Sequence, residues 1–363
     1  MGGLTNYSFG PLARRGKGNF CYVNSAIQML VANKPFADAF IATKGLRIGG
    51  DASPLLLELW CAVRCIHGYG HLFTTNELRA MLCQGLEPTF AVLKQQDAGE
   101  FLTDHLLPLL DRLLKEHEPG NTLVRDHFGD NDNLVAAVVV SAEHGDGETL
   151  QARVEQSLAS SRAEVAATSP HGKAVDLPLS LIVLIDRLVC GDGGLSRKNC
   201  ASVPGGIPDV VVLNSPNGGQ QRYELMGVVL HELGPLKGGE PRDGVGLGQR
   251  LHDAKGFVRS GHFIAIAKRD GEVYRVDDDV VSTVPEDQVG LMLHDQGQGA
   301  AGRRSGWSAA VAMYRSIGGV NGFANTIGTE AAAPVRLPSY LPPLRYFIGP
   351  CQRSQSNTRV NRA

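Results

Sequence analysis

Apolar residues in the first third of the chain recur at helical spacing. Over 21–33, Tyr22, Ala26, Met29 and Leu30 fall on one face at i, i+4, i+7 and i+8, which predicts a helix. A second helix is expected over 54–67 and a third over 95–117, where Phe101, Leu102, Leu106, Leu109, Leu110 and Leu113 form the apolar stripe. Pro108 interrupts that stripe, so a kink or break is expected there. The second half changes period. VAAVVV (135–140), LIVLI (181–185), DVVVL (209–213), YELMGVVLH (223–231), HFIAIAK (262–268) and EVYRVD (272–277) are runs rich in β-branched residues and read as strands. Helices first and strands afterwards give an α+β class, with a cleft expected between the halves. The glycine-rich stretch 232–260 lacks periodicity and is expected to be a long loop, and 331–363 reads as a Pro-rich, disordered tail.

Composition narrows the function classes. The chain has 363 residues, 20% charged, with a net charge of −2, so no global field points to nucleic acid or a membrane surface. No apolar run reaches the eighteen or so residues of a membrane span. MGGLTNYSFG has no apolar core of a secretory signal, and Asn6 stands where a myristoylation signal wants Ser or Thr. Seven irregularly spaced cysteines fit reduced thiols, so a cytoplasmic location is expected, with the nucleus as an alternative.

Two segments carry candidate chemistry. Cys21 lies where GNFCYVNS runs into the first helix, and the positive end of a helix dipole favours a thiolate. On spacing alone a small buried core residue fits this cysteine equally well. His262 opens the HFIAIAK strand, and Asp270-Gly271 is a two-residue hairpin signal into EVYRVD. With that turn, Arg269 faces Glu272, Ile264 faces Asp277 and His262 faces Asp279. Asp277 and Asp279 then share the His262 face, and Asp278 points the other way. Asp277, the diagonal neighbour, is within reach of the imidazole and could fix its tautomer as the third member of a triad. The competing reading is a solvated acidic turn.

Those residues resemble the ubiquitin-specific protease (USP/UCH-type) family of deubiquitinating cysteine proteases. GNFCYVNSAIQML looks like the family's cysteine box, and QQDAGEFLTDHLLPLLDRLL like its glutamine-aspartate box. LIVLIDRLV with LSRKNCASV, then YELMGVVLHE, SGHFIAIAK and VYRVDDDVVSTV, and finally AAVAMYRS resemble the later blocks in the right order. The resemblance implies a papain-like fold across residues 1–330, with a helical thumb over about 11–118 and fingers and palm over about 119–320. It implies hydrolysis after the C-terminal glycine of ubiquitin or a ubiquitin-like modifier, with no cofactor. The catalytic roles pass to Cys21, His262 and Asp277. Asp97 and Glu100 are expected to meet the modifier's basic tail, although acidic residues in a first helical turn also suit the helix dipole. Ubiquitin conjugates are the implied partners, with no nucleic acid and no membrane.

The chain departs from the family at several points. Gly16 stands five residues before the nucleophile, where an Asn usually helps hold the oxyanion. Losing one such donor can lower turnover by roughly 10²–10³, leaving the Cys21 amide and the Asn19 side chain as candidates. Gly99 replaces a polar residue, and Ala310 replaces a tyrosine. No CxxC pair is present, so small, zinc-free fingers are expected. Cys61, Cys65, His67 and His71 are ligand types close together, but Cys61 and Cys65 continue a helical apolar face, and core packing is the better reading. His231 is expected to be a satisfied strand-end histidine, with a gating role as the alternative. Gly16 keeps a second function open, an inactive relative that binds ubiquitin as a scaffold. Acyl transfer on the same thiol fold is a third, which the glutamine-aspartate box disfavours.

Overall fold

In the computed structural model, the described residues are 20–43, 46, 52–66, 75–86, 96–129, 137–141, 148–168, 177–186, 188–190, 196–198, 203, 205–215, 218–232, 262–278, 280–294 and 307–317. All belong to one unit, Met1–Val320. The expected loop over 232–260 lies outside the described residues apart from Glu232, and the tail lies wholly outside them.

The helical layer comprises α1 (Cys21–Ala32), α2 (Lys34–Ala42), α3 (Pro54–Ile66), α4 (Thr75–Leu86), the single turn α5 (Ala98–Glu100), α6 (Leu107–His117) and α7 (Leu123–Phe128). The expected break near Pro108 takes a specific form. Residues Phe101–Leu106 are π-helical, and the Leu107 N–H reaches back five residues to the Leu102 carbonyl. Pro108 then sits in the first turn of α6. Widening the preceding turn relieves the clash a proline ring makes with the carbonyl four residues earlier.

The strands are β1 (Ala137–Ser141), β2 (Ser180–Asp186), β3 (Leu188–Cys190), β4 (Ser196–Lys198), β5 (Val210–Asn214), β6 (Gln220–Glu232), β7 (His262–Arg269), β8 (Glu272–Asp277), β9 (Val280–Thr283) and β10 (Trp307–Ile317). An eight-stranded sheet runs β1-β2-β10-β6-β7-β8-β9, with β5 also paired to β6, while β3 and β4 form a separate pair. Two further helices interrupt the strand-rich half, α8 (Leu150–Thr168) and α9 (Glu286–Met292). Periodicity did not predict them. Helix α8 is the crossover that makes β1 and β2 parallel, a pairing no tight turn could produce.

Both faces of the sheet are covered, which explains why its central strands read as unbroken apolar runs. Along β7, Phe263 and Ala265 join the core under α1, α2, α3 and α6, together with Val229, Val276 and Val311. Ile264 and Ile266 face the opposite core, with Val228, Val183 and the α8 residues Leu150 and Val154. Helix α1 is buried along its whole length, Asn24, Ser25 and Gln28 included. Gly227 lets it come close: a Cβ there would lie 2.5 Å from the Ile266 carbonyl oxygen and 3.3 Å from Met29 Sδ.

Candidate active site

Cys21 is the first residue of α1 and is buried. The N-cap, Phe20, makes no side-chain cap hydrogen bond, and the positive end of the dipole lies at the thiol. Close packing fixes this end, since the ring of Tyr22 meets Phe101 edge-on at 5.3 Å.

His262 is the first residue of β7 and Asp277 the last of β8. The hairpin between them has the expected register, with Arg269 opposite Glu272 and Ala265 opposite Val276, and no bulge. Asp270 and Gly271 both take positive φ, as a two-residue turn of matching twist requires. The ring Nε2 of His262 donates to Asp277 Oδ1 at 2.6 Å. Cys21 bears on the same imidazole and favours its charged form. Three residues distant in sequence thus come together where α1 passes β7 and β8.

Their electrostatics agree. The hydrogen bond from Asp277, reinforced by Cys21, pushes the His262 imidazole up to about 10 against the opposing cost of burial. The same bond, with smaller help from Arg275, holds the Asp277 carboxyl below its ordinary value. At neutral pH the site therefore carries an imidazolium between a carboxylate and a sulfur.

The expected orientation of Asp278 is corrected. Strand β8 ends at Asp277, which pairs with Val280 of β9, so Asp278 has left the strand and lies in the turn of a second hairpin. Asp278 adopts φ +50°, a left-handed conformation aspartate tolerates, and so escapes strand alternation. Its carboxylate accepts from Asn24 Nδ2 at 2.8 Å, tying the turn to α1. Asp279, expected opposite His262, lies outside the described residues. So do Asn19, Gly16, His67 and His71, and the Cys65 side chain, so the oxyanion candidate and the Cys61 cluster have no geometry here.

Asp97 is the N-cap of α5. Its Oδ1 accepts from the Gly99 N–H at 2.7 Å and from the Glu100 N–H at 3.1 Å, so capping is a role it visibly performs. Glu100 is exposed. Gly99 has a packing reason: a Cβ there would meet Leu184 Cδ2 at 2.9 Å and Asp97 Oδ1 at 3.0 Å. Ala310 is the extra residue of a bulge in β10, between Ala309 opposite Leu230 and Val311 opposite Val229. His231, the last but one residue of β6, is buried as well as near the strand end, its ring stacked on Phe263 at 4.1 Å.

Among the described residues, His262, Asp277 and Asp278 have ligand-type atoms within 4.8 Å of one another. Within this group His262 and Asp277 bond each other, Asp277 also accepts from Arg275, and Asp278 accepts from Asn24. Sequence reasoning missed three neighbours. Asn24 lies one helical turn after Cys21 and Arg275 two residues before Asp277 on the same strand face, so spacing could have found both. Trp307 reaches His262 only through an intervening strand: it pairs with Glu232, which pairs with His262.

Residues 15–314 match the model of the family described as ubiquitin carboxyl-terminal hydrolase. The chain belongs to that family. Its members are cysteine-type deubiquitinases with a papain-like fold, and the mixed helical and sheet layers fit that assignment. No curated protein matches the sequence. Among solved structures, a chain of the SAGA Ubp8/Sgf11/Sus1/Sgf73 DUB module superposes with a TM-score of 0.55 at 18% identity, over 84% of this chain and 68% of that one. Two further structures of the module, bound to ubiquitin aldehyde and to monoubiquitin, each give 0.54, at 16% and 15% identity, over 83% of this chain and 68% of those. At such identities the likeness is one of fold.

Proposed function

We propose that this chain is a thiol-dependent deubiquitinase that hydrolyses the isopeptide or peptide bond after the C-terminal glycine of ubiquitin or a ubiquitin-like protein. The observation that carries the reading is the His262–Asp277 hydrogen bond with Cys21 beside it at the N-terminus of a buried helix. Family membership supports it, and the fold neighbours described as bound to ubiquitin make that modifier the first substrate to test.

In this mechanism the Cys21 sulfur attacks the glycine carbonyl carbon, and the carbonyl electrons move onto oxygen. The backbone N–H of Cys21, at the start of the helix, and the Asn19 side chain would receive that oxyanion. When the C–N bond breaks, the imidazolium of His262 gives its proton to the departing amine, leaving a thioester on Cys21. Neutral His262 then takes a proton from water as its oxygen attacks the thioester carbon. The acid departs, and the sulfur and imidazolium pair is restored. Asp277 stays ionised throughout and keeps the ring oriented. Exposed Glu100, and the Asp97 oxygen not used in capping, would meet basic residues of the modifier's tail.

The test is release of a fluorophore amide-linked to the C-terminus of ubiquitin, compared with ubiquitin-like modifiers carrying the same group. Wild type should turn over at least one, and Cys21→Ala and His262→Ala none. A second reading, a family member that holds ubiquitin without turnover, is favoured by Gly16, which removes one oxyanion donor. Saturable ubiquitin binding with no fluorophore release would establish it instead.

A further inference from the structure

Among the described residues, Arg275 and Trp307 meet the His262–Asp277 pair from outside the catalytic series, beside the nearby Asp278 carboxylate. Arg275 lies on β8, opposite Ile266 of β7 and Ser282 of β9, two residues before Asp277 and so on its face. Its Nη2 donates to Asp277 Oδ2 at 2.6 Å, while Oδ1 of the same carboxylate takes the His262 bond. Both oxygens are thus engaged, one by the base and one by a guanidinium. The guanidinium carbon lies 5.6 Å from the Trp307 ring centroid, and that ring also meets the His262 imidazole at 6.2 Å with planes 63° apart. The Arg275 Nε is buried and has no hydrogen bond among the described residues, as expected for a guanidinium whose face is turned toward an aromatic ring.

A carboxylate with one partner can swing about its Cβ–Cγ bond and lose alignment with the imidazole. A second bond to the other oxygen removes that freedom, and a planar guanidinium is better suited to this than a lysine ammonium. Against it stands a direct electrostatic cost, because a fixed cation makes Asp277 a weaker anion for His262 and repels the imidazolium itself. We propose that Arg275, stacked on Trp307, is a positioning residue that locks the Asp277 carboxylate in the rotamer that orients His262, so that alignment outweighs the repulsion.

This deepens the proposed function and rests on it for its kinetic arm. The two opposing effects predict opposite signs when the guanidinium is removed. If alignment dominates, Arg275→Met frees Asp277 and the imidazole loses part of its raised basicity. If charge dominates, the same change strengthens Asp277 and the imidazole becomes more basic. Groups bearing on His262 from the neighbouring elements are Cys21 from α1, Asp277, Asp278 and Arg275 from β8 and its turn, and the Trp307 ring from β10.

The experiment titrates His262 by NMR in protein with isotope-labelled imidazoles, using wild type, Arg275→Met and Arg275→Lys. His127, buried elsewhere in the molecule, serves as the internal control for an intact fold. The expected result is a His262 midpoint lowered by about one unit or more in Arg275→Met, with partial recovery in Arg275→Lys and no change at His127. On the ubiquitin amide, kcat should fall about tenfold or more, as for loss of a charged hydrogen bond, with KM unchanged. An unchanged or raised His262 midpoint, or a change confined to KM, overturns the proposal. Should wild type fail to release the fluorophore, the proposed function fails, while the sign of the His262 shift still decides what Arg275 does.

Discussion

His262 and His127 are two histidines at the interface of helices and sheet, and their surroundings drive them in opposite directions. His127, in α7, is 4% exposed and lies edge-on to Phe36 at 5.4 Å. Its nearest polar partner is the Ser180 hydroxyl, 3.5 Å from Nδ1. Asn33 Nδ2 donates to that same oxygen, leaving the hydroxyl proton free to point at an unprotonated ring nitrogen. Burial, only partly offset by Asp126, pushes this imidazole down to about 4. His262 is less buried and has a hydrogen-bonded carboxylate, with the Cys21 sulfur also bearing on it, and together they push it up to about 10. Burial alone discharges a histidine; burial beside a paired carboxylate charges it. The neutral one ties a helix to the sheet, and the charged one is equipped to deliver a proton.

The largest expected effect comes from making His262 resemble His127. Asp277→Ala should drop its midpoint from about 10 to near or below 6.5, and lower kcat by up to about 10⁴, as when the aspartate of a serine-protease triad is replaced. A midpoint that stays high would assign the shift to Cys21 instead, and paired titrations of Asp277→Ala and Cys21→Ala separate the two.

A smaller effect concerns stability, and its sign differs between the two histidines. For His127 the folded value is about 4 and the unfolded one about 6.5. Unfolded chain therefore binds the extra proton, and stability falls as the pH drops from about 6.5 to 4, by roughly 3 kcal/mol at most. His127→Gln, which keeps a hydrogen bond to Ser180 but cannot titrate, should flatten that acid limb in melts followed by circular dichroism. An unaltered limb would mean that His127 is protonated in the folded state. For His262 the folded value exceeds the unfolded one, so its contribution is complete below about pH 6.5 and lost as the pH rises through about 10. With its side chain 32% exposed, solvent screens much of that term, and the alkaline limb should be the shallower one.

The parts of the site legible in the sequence were those governed by local rules. A helix beginning at Cys21 follows from apolar spacing, and Asp270-Gly271 alone sets the β7–β8 register that brings Asp277 to His262. Asp278 was placed on the wrong side because the strand was taken to run through it, whereas the chain turns there at positive φ. Trp307 left no local trace, since its approach to His262 depends on β6 lying between their strands. Helix α8 was missed for a related reason: its run LQARVEQSLASSRAEVAAT has few large apolar residues and no strong stripe. His127 gave no signal either, because its neighbours Phe36 and Ser180 come from other elements.

The most direct measurement treats the folded protein with ubiquitin bearing a C-terminal electrophile and maps the adduct by peptide mass spectrometry. A single ubiquitin attached to the peptide containing Cys21, absent after denaturation and slowed in His262→Ala, is the predicted result. No adduct on the folded protein, or attachment at another cysteine such as Cys61, would contradict the view that Cys21, His262 and Asp277 act as one centre.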